Sequence, residues 1–413
     1  MSITRRVFLR NSALAVVGTA AVPSFLARAA FGAAVPTSIN NKRLVVIFQR
    51  GAADGLNIVV PHAESSYYAM RPTINIPRTA VLELDGFFGL HPAMSALHPL
   101  WKQGHLAIVH AAGSPDPTRS HFDAQDFMES GTPGLKVTAD GWLNRSLHGL
   151  PARAQNPAFR AIALGPSLPR ILSGPEPALA VNNVNDFGVG GGKANPTANT
   201  FEAMYDHSVD TVMHGTGAET FDAVKMLRAA DPGQYKPAAG ANYPRGRFGD
   251  SMKQLAQLIK ANLGVQVAFA DIGGWDHHVN EGSTQGQMAN VLGEFSNSLA
   301  AFWTDLGDLA EDTVVVTMSE FGRTARENGN RGTDHGHANV MFVMGGPVKG
   351  GKVYGRWPGL EQSQLYEGRD LAVTTDFRKV LGEAVERHLG NRELTKVFPG
   401  FEGRPGEFLR YLG

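Results

Sequence analysis

Short apolar runs separated by longer amphipathic stretches dominate the hydrophobic pattern of this 413-residue chain. The run 43–48 is continuous, rich in β-branched residues and too short for a helix. Such a run is typical of a strand that is buried on both faces of a parallel sheet. Comparable runs predict further strands over 106–110, 159–164, 178–184, 265–270, 313–317 and 340–344.

Helical patterns lie between most of these runs. Ser120 is a plausible N-cap for a helix that continues to about Glu129. Apolar residues favour further helices over 91–103, 200–230, 248–262, 284–309 and 376–389. Strands that alternate with helices predict an α/β fold, with a mostly parallel sheet sandwiched between helices. Sheets of this kind bind ligands beyond the carboxyl ends of their strands.

A region at about 186–247 interrupts the alternation of strands and helices. Residues 188–199 are Gly-rich and then rich in Pro, Asn and Thr, which favours a surface loop. Residues 231–247 hold prolines and glycines without an apolar period, which is typical of a linker. We therefore predict a single α/β domain over 35–413 with an inserted loop and helical region.

The first 34 residues carry an export pattern. Arg5 and Arg6 precede Phe8 and Leu9, and an apolar run over 13–22 follows. A run of that length is too short for a membrane-spanning helix, which needs about 20 residues. Candidate cleavage sites with small residues follow near 27–34. The arginine pair, the short apolar run and these sites together predict a twin-arginine signal peptide over 1–34. The alternative is a chance arginine pair on a buried N-terminal helix.

The signal peptide implies a cellular route for the chain. The twin-arginine translocase would be its partner during export, and the mature protein would reach the periplasm or be secreted without a membrane span. This route carries folded cargo, which suits a protein that binds a metal before export.

Composition narrows the chemistry. The chain has no cysteine, so disulfides, thiolate-bound zinc and cysteine nucleophiles are excluded. Lys and Arg total 38 and Asp and Glu total 38, which leaves a net charge of zero. The charge balance therefore gives no reason to expect nucleic acid or an anionic membrane as partner.

Two short tracts of aspartate and histidine stand next to predicted strands. Asp276 and His278 follow the strand at 265–270, and Asp334, His335 and His337 precede the strand at 340–344. Imidazole and carboxylate without thiolate suit Zn²⁺ or Mn²⁺. The tracts therefore predict one or two divalent metals. The alternative is a hydrogen-bonded network of Asp and His that braces the loops.

Ser120 and three arginines are further candidates. As an alternative to capping its helix, Ser120 could act as a nucleophile beside a metal, where the helix N-terminus favours phosphate or sulfate. His121 or a histidine of the two tracts would then move the proton. Arg50, Arg119 and Arg323 lie beside the same tracts and would either clamp an oxyanion or form structural ion pairs.

Five segments together resemble the domain-of-unknown-function family 1501. They are residues 48–57, 114–125, 273–276, 319–324 and 332–336, and the resemblance covers nearly the whole mature chain. The family is placed in the alkaline-phosphatase-like superfamily, with sulfatases and cofactor-independent phosphoglycerate mutases. The resemblance implies an alkaline-phosphatase-like α/β fold and the two-metal chemistry of hydrolases and transferases.

The superfamily pattern implies roles for individual residues. Asp54 is the nearest candidate for the acidic ligand after the first strand, although it comes several residues late. Ser120 matches the nucleophile, and Asp276 with His278 matches a ligand pair of tighter spacing than usual. A formylglycine sulfatase needs Cys or Ser at the start of a motif that begins here with Pro115, so that mechanism is excluded.

The remaining ligands allow two alignments. By letters, residues 334–336 match the superfamily's Asp-His-Gly motif. By strand order, Glu320 takes that place, and Asp334, His335 and His337 take the place of the final histidine. We prefer strand order, which puts Phe321 where a histidine ligand would be, so one metal site would be altered or absent.

These observations favour an exported metal-dependent hydrolase or transferase that acts on phosphate or sulfate esters of a small molecule or glycan. One alternative is a non-catalytic periplasmic protein that binds a ligand or partner on the same fold. Another is a different metal enzyme, such as an amidase, because fold does not fix function. The first hypothesis requires the candidate residues to meet in one pocket at one rim of the sheet.

Overall fold

The structure is a computed structural model that describes residues 41–151, 159–184, 234–403 and 407–413. The predicted signal peptide, the loop at 188–199 and the helix at 200–230 lie outside these ranges. Across the described residues, no helix combines the length and the apolar character that a membrane crossing requires.

A nine-stranded sheet forms the centre of the described domain, with strand order β11-β5-β10-β9-β1-β8-β6-β7 and β12 paired to β5. A small antiparallel sheet of β2, β4 and β3 lies apart from it. The twelve strands are β1 Arg43–Gln49, β2 Val59–Val60, β3 Leu82–Glu83, β4 Gly89–Leu90, β5 Leu106–Gly113, β6 Ala161–Leu164, β7 Leu179–Val181, β8 Val267–Ile272, β9 Thr313–Met318, β10 Asn339–Gly345, β11 Lys352–Tyr354 and β12 Thr375–Asp376.

One strand of the described large sheet, β10, runs against the others. It pairs antiparallel with β5 and β9, whereas the remaining pairs are parallel. The amino end of β10 therefore lies at the same rim as the carboxyl ends of β1, β5, β8 and β9. The segment that precedes β10 and the segments that follow the other four strands can thus meet at one place.

The helices cover both faces of the sheet. The α-helices are α1 Gly55–Ile58, α2 Ser65–Met70, α3 His98–Lys102, α4 His121–Ser130, α5 Trp142–Arg145, α6 Arg247–Lys260, α7 Gln287–Leu306, α8 Phe377–Glu383 and α9 Leu394–Val397. Short 3₁₀ turns occupy Pro92–Met94, Arg170–Leu172 and Gly307–Asp312, and a π-helical turn extends α8 over Ala384–Leu389.

Strand β1 shows why the sheet is buried on both sides. All seven of its residues are buried, and alternate side chains enter two separate hydrophobic clusters. Val45 and Ile47 pack in the cluster that includes α6 and α7, and Leu44, Val46 and Phe48 pack in the cluster that includes α5 and α8. The predicted mostly parallel sheet between helices is confirmed.

The predicted continuous helix over 91–103 is wrong. A 3₁₀ turn over Pro92–Met94 and helix α3 replace it, each with a proline in its first turn. A proline has no backbone N–H and clashes with the preceding turn, so it starts a helix but does not continue one. Pro99 therefore forces a second start.

Candidate metal centre

Three side chains from three separate elements meet at the rim of the sheet. His121 is the first residue of α4, Asp276 lies in the loop after β8, and His335 lies in the loop before β10. One donor atom from each lies within 4.8 Å of the others. The two histidine Nε2 atoms are 3.0 Å apart, and the Asp276 oxygens lie 3.5 Å from His121 and 3.4 Å from His335.

The hydrogen-bond partners of the two histidine Nδ1 atoms determine whether the Nε2 atoms carry a proton. His121 Nδ1 lies 2.8 Å from Glu320 Oε1, and His335 Nδ1 lies 2.8 Å from the carbonyl oxygen of Arg119. Both partners are acceptors, so both Nδ1 atoms carry the proton. In the neutral rings each Nε2 then presents a bare lone pair, and the two lone pairs face each other across 3.0 Å. A proton or a metal cation between them removes this repulsion.

The two imidazoles differ in their pKa. The hydrogen bond to Glu320 raises the pKa of His121, whereas burial lowers the pKa of His335. Of the two rings, His121 therefore binds an additional proton more readily. The Glu320 carboxylate remains ionised beside it: burial alone would raise its pKa, but hydrogen bonds from His121, Gln125 and the Gly51 N–H lower it.

His278 and Asp334 form a dyad at the edge of this group. His278 Nδ1 donates to Asp334 Oδ1 at 3.1 Å, which turns His278 Nε2 towards the centre, 3.0 Å from both His335 Nε2 and Asp276 Oδ1. Side-chain exposure is 39% for His278 and 59% for Asp334, so the dyad faces solvent. The arrangement is that of an oriented imidazole that can accept and release a proton at Nε2.

The floor beneath the centre is apolar. The ring of Phe321 is buried and lies 5.0 Å from the rings of both His121 and His335. Phe321 therefore packs beneath the two imidazoles and limits their rotation. The opposite side is open, because 47% of the Asp276 side chain is exposed.

Arg323 does not project into the open site. Its guanidinium is fully buried and donates to the carbonyl oxygens of Ala52, Gly51 and Thr333 and to Asp276 Oδ1 at 2.5 Å. The predicted role of Arg323 as a substrate clamp is therefore replaced by a structural one. It joins the loop after β1 to the two Asp/His loops and fixes the Asp276 carboxylate.

The other two predicted clamps are also engaged. Arg50 donates to Asp271, Gln125 and Glu129 at 2.7, 2.9 and 2.8 Å. Arg119 binds Asp370 and Glu367 through its side chain. Both form the structural ion pairs that were the alternative in the sequence, and neither guanidinium contacts the centre directly.

Ser120 caps helix α4. Its backbone is extended, and its Oγ accepts the N–H of Asp123 at 3.5 Å. This is the N-cap geometry that the sequence predicts. The described contacts of Ser120 Oγ include none with the histidines of the centre.

Asp54 is placed away from the histidine centre. Its two oxygens accept from Arg71 at 2.5 and 3.0 Å, and both residues are buried. Burial alone would raise the pKa of Asp54, but the Arg71 guanidinium outweighs burial and lowers it. Asp54, expected as a metal ligand, is thus engaged by an arginine at both oxygens and is not among the three donors that meet at the centre.

A second buried carboxyl group, Glu281, lies beside this ion pair. Its oxygens accept from Asn57 and Thr333. Burial, followed by the nearby charge of Asp54, raises the pKa of Glu281 well above its ordinary value, so this carboxyl keeps its proton. Sequence reasoning missed Arg71 and Glu281, because neither stands in a motif or next to a strand.

Two further predicted ligands take other positions. Glu320 supports His121 through Nδ1 and does not join the group formed by His121, Asp276 and His335. His337 points elsewhere, with Nε2 3.0 Å from the Ser114 carbonyl oxygen and its ring against Tyr366. His121, expected to carry protons, lies instead among the three donors. The hydrogen bond between His121 Nδ1 and Glu320 shows that His121 Nε2 is free to act as a donor atom, and this contact is not visible in the linear sequence.

The family model described as a protein of unknown function, DUF1501, matches residues 41–397. The chain belongs to the DUF1501 family. The family suggested by the sequence motifs is thus confirmed. A comparison with curated proteins gives no match.

Solved structures resemble this DUF1501 chain at low identity. The zinc complex of the C-terminal periplasmic domain of EcEptC from Escherichia coli is 9% identical, with a TM-score of 0.36 and coverage of 75% of this chain and 73% of that one. The PsFucS1 sulfatase from Pseudoalteromonas sp. is 13% identical, with a TM-score of 0.34 and coverage of 76% and 64%. An alkaline phosphatase superfamily protein from Vibrio parahaemolyticus is 10% identical, with a TM-score of 0.30 and coverage of 74% and 60%.

Proposed function

We propose that this DUF1501 chain is a metal-dependent hydrolase or transferase of phosphate or sulfate esters, with one divalent cation held by His121, Asp276 and His335. The observation that supports it is the pair of bare Nε2 atoms 3.0 Å apart beside a carboxylate. Ligands at about 2.0–2.1 Å in a tetrahedron lie roughly 3.3 Å from one another. The three distances of 3.0, 3.4 and 3.5 Å suit such an ion.

The donors favour zinc. Imidazole suits Zn²⁺ better than Mn²⁺, and catalytic zinc sites use three protein ligands and leave a fourth position open. When bound, the ion would lower the pKa of water and polarise an ester oxygen. Glu320 and the Arg119 carbonyl hold the two imidazoles, in the supporting pattern found around metal-bound histidines.

The residues around the three ligands position the carboxylate and transfer the proton. Arg323 fixes the Asp276 carboxylate from below. His278, oriented by Asp334, accepts at Nε2 the proton of the attacking water or hydroxyl group and then gives it to the oxygen of the leaving alcohol. In this proposal His278 carries the proton and Asp334 orients its ring, and neither is a metal ligand as first expected.

The test is elemental analysis of the purified full chain together with phosphate and sulfate release from 4-nitrophenyl esters. We expect about one equivalent of zinc, and hydrolysis that a chelator abolishes and added zinc restores. A metal-free preparation whose melting temperature does not respond to zinc would contradict the proposal.

That outcome would favour the second candidate function, a non-catalytic binding protein. The observation on its side is that Arg50, Arg119 and Arg323, the three arginines beside the centre that the sequence singled out, are each held by carboxylates or carbonyls. In the described residues, none of these three guanidinium groups points towards the place where an ester oxyanion would bind.

Replacing Ser120 by alanine is expected to leave ester hydrolysis within a few-fold of the original rate. The chain would lose about 1 kcal/mol of folding stability, because the cap of α4 is lost. Rate measurements with 4-nitrophenyl phosphate and urea unfolding check both values. A loss of hydrolysis with zinc still bound would show instead that Ser120 is a nucleophile.

Replacing Glu320 by glutamine is expected to weaken zinc binding about 10- to 100-fold at neutral pH. The raised pKa of His121 lets a proton compete with zinc up to a higher pH than for an ordinary histidine. Removing the charge lowers that pKa, so the pH below which affinity falls moves downward. Zinc titrations between pH 5 and 8 measure the shift, and an unchanged pH profile would contradict the assignment.

We also propose that the chain is exported through the twin-arginine route and acts in the periplasm or outside the cell. Arg5 and Arg6 and the following apolar run support this. Replacing both arginines by lysine should hold the unprocessed precursor inside the cell. Export at the original level would contradict it.

A further inference from the structure

A cavity of about 300 Å³ opens beside the carboxyl ends of β6 and β8. Its charged lining consists of Arg50, Arg170, Arg247, Glu129 and Asp271. The volume is at the lower end of the range for small-molecule sites. The residues that line it have no part in the proposed chemistry at the metal centre.

The cavity lies next to the metal centre. Arg50 donates to Gln125 at 2.9 Å, Gln125 donates to Glu320 at 2.9 Å, and Glu320 accepts from His121 at 2.8 Å. Three hydrogen bonds therefore connect the lining of the cavity to a histidine of the centre. Both sites lie at the same rim of the sheet.

Helix α4 joins the two sites along one face. His121, Gln125 and Glu129 are spaced four residues apart, so they share a face of the helix. His121 serves the centre, Glu129 lines the cavity, and Gln125 lies between them. A substrate that spans both sites would lie along this face.

Most of the charged groups that line the cavity are held in ion pairs. Arg50 pairs with Glu129 and Asp271, and Arg170 pairs with Asp126. The exposed Arg247 contacts Asp271 at 3.4 Å. A hydroxyl group accepts from a guanidinium and donates to a carboxylate at the same time, so it can bind beside such a pair without breaking it. The lining thus suits a part of a ligand that carries several hydroxyl groups.

An exposed aromatic ring stands on the same helix. The Phe122 side chain directly follows His121 and is 91% exposed, although burying such a ring is worth about 2–3 kcal/mol. It lies one turn before Asp126, which holds Arg170 of the cavity. A sugar ring offers a C–H face that packs on an aromatic ring and hydroxyls that reach polar groups.

We propose that this cavity binds the polyhydroxylated part of the substrate, a sugar unit, while the ester group lies at the metal centre. The proposal rests on the proposed function and names its substrate class. Arg247 is the recognition residue, because its exposed guanidinium keeps donors for sugar oxygens. Phe122 adds an apolar contact at the rim.

Calorimetric binding to the zinc-loaded full chain tests this with methyl phosphate, glucose 6-phosphate and hexyl phosphate. We expect glucose 6-phosphate to bind about 10-fold tighter than methyl phosphate, which corresponds to about 1.4 kcal/mol. Hexyl phosphate should gain less than the sugar ester. Arg247→Ala should reduce the sugar preference to near one and leave methyl phosphate affinity and zinc content unchanged, and Phe122→Ala should reduce it in part.

The control is Arg356→Ala. Arg356 is an exposed arginine that follows β11, at the opposite end of the sheet from β6 and β8, so its loss should not alter the preference. Equal affinity for the three esters, no binding of any ester, a larger gain for hexyl phosphate, or a preference that survives Arg247→Ala would each overturn the sugar site. Hydrolysis rates are measured separately: a sugar preference without hydrolysis would contradict the catalytic proposal alone.

Discussion

A His335→Ala chain is expected to lose its bound metal and its esterase activity together. His335 Nε2 lies 3.0 Å from both His121 and His278 and 3.4 Å from Asp276, so its removal leaves two donors for the cation. The loss in metal affinity should exceed about 100-fold, the upper end for a supporting residue. Elemental analysis and zinc-dependent melting temperatures measure it.

Two matched histidine variants separate the roles. His337→Ala removes a histidine from the same loop that contacts the Ser114 carbonyl, so zinc content should be unchanged. His278→Ala should keep the metal but slow hydrolysis about 10²- to 10⁴-fold, the usual contribution of a general acid–base group. Zinc retained at full occupancy in His335→Ala would contradict the site. Zinc lost in His278→Ala would make His278 a ligand.

An Arg71→Ala chain is expected to lose about 3–5 kcal/mol of unfolding free energy, because the charge of Asp54 stays buried without a partner. Arg71 also donates to the carbonyl oxygens of Thr324 and Ala325, which then lose their donors. Urea unfolding measures the loss. Arg71→Lys keeps the charge without the bidentate geometry, so its free energy of unfolding should lie between those of the original chain and Arg71→Ala.

The control for this ion pair lies at the surface. Lys42 and Asp312 are 2.7 Å apart with more than a third of each side chain exposed, so Lys42→Ala should cost less than about 1 kcal/mol. A similar small loss in Arg71→Ala would show that the buried pair is not required. If Asp54→Asn removed the metal without loss of stability, the original assignment of Asp54 as a ligand would be right.

The strands of the sheet were predictable because burial on both faces leaves an uninterrupted apolar run, as in β1. The meeting of the Asp276 and His335 loops was a hypothesis whose reason the sequence did not reveal: β10 runs antiparallel to β9, which puts the segment before β10 at the rim where β8 ends. Which of the histidines would be ligands and which would not could not be predicted from the sequence. Whether a histidine is a ligand depends on what its other nitrogen contacts, and Glu320 lies 199 residues from His121.

Asp54 shows the same limit. Its position after β1 resembles that of a superfamily ligand, but the side chain that neutralises it, Arg71, follows helix α2 without any motif. Beside Asp54, the Arg71 guanidinium supplies the positive charge that a metal ion would supply to a ligand carboxylate. The charge of a pocket is a sum over residues brought together by folding, so one sequence position does not reveal it.

The place of β1 at the centre of the sheet has a consequence for synthesis. Its neighbours β8 and β9 lie more than 200 residues downstream, and the carbonyl oxygens of Gln49 and Ala52 bond to Ser319 and Arg323, 270 and 271 residues away. On the ribosome, this apolar strand therefore emerges more than 200 residues before the two strands that pair with it. Such non-local pairing is slow and leaves apolar surface exposed to aggregation, so we expect β1 to stay unpaired until β8 and β9 have been translated.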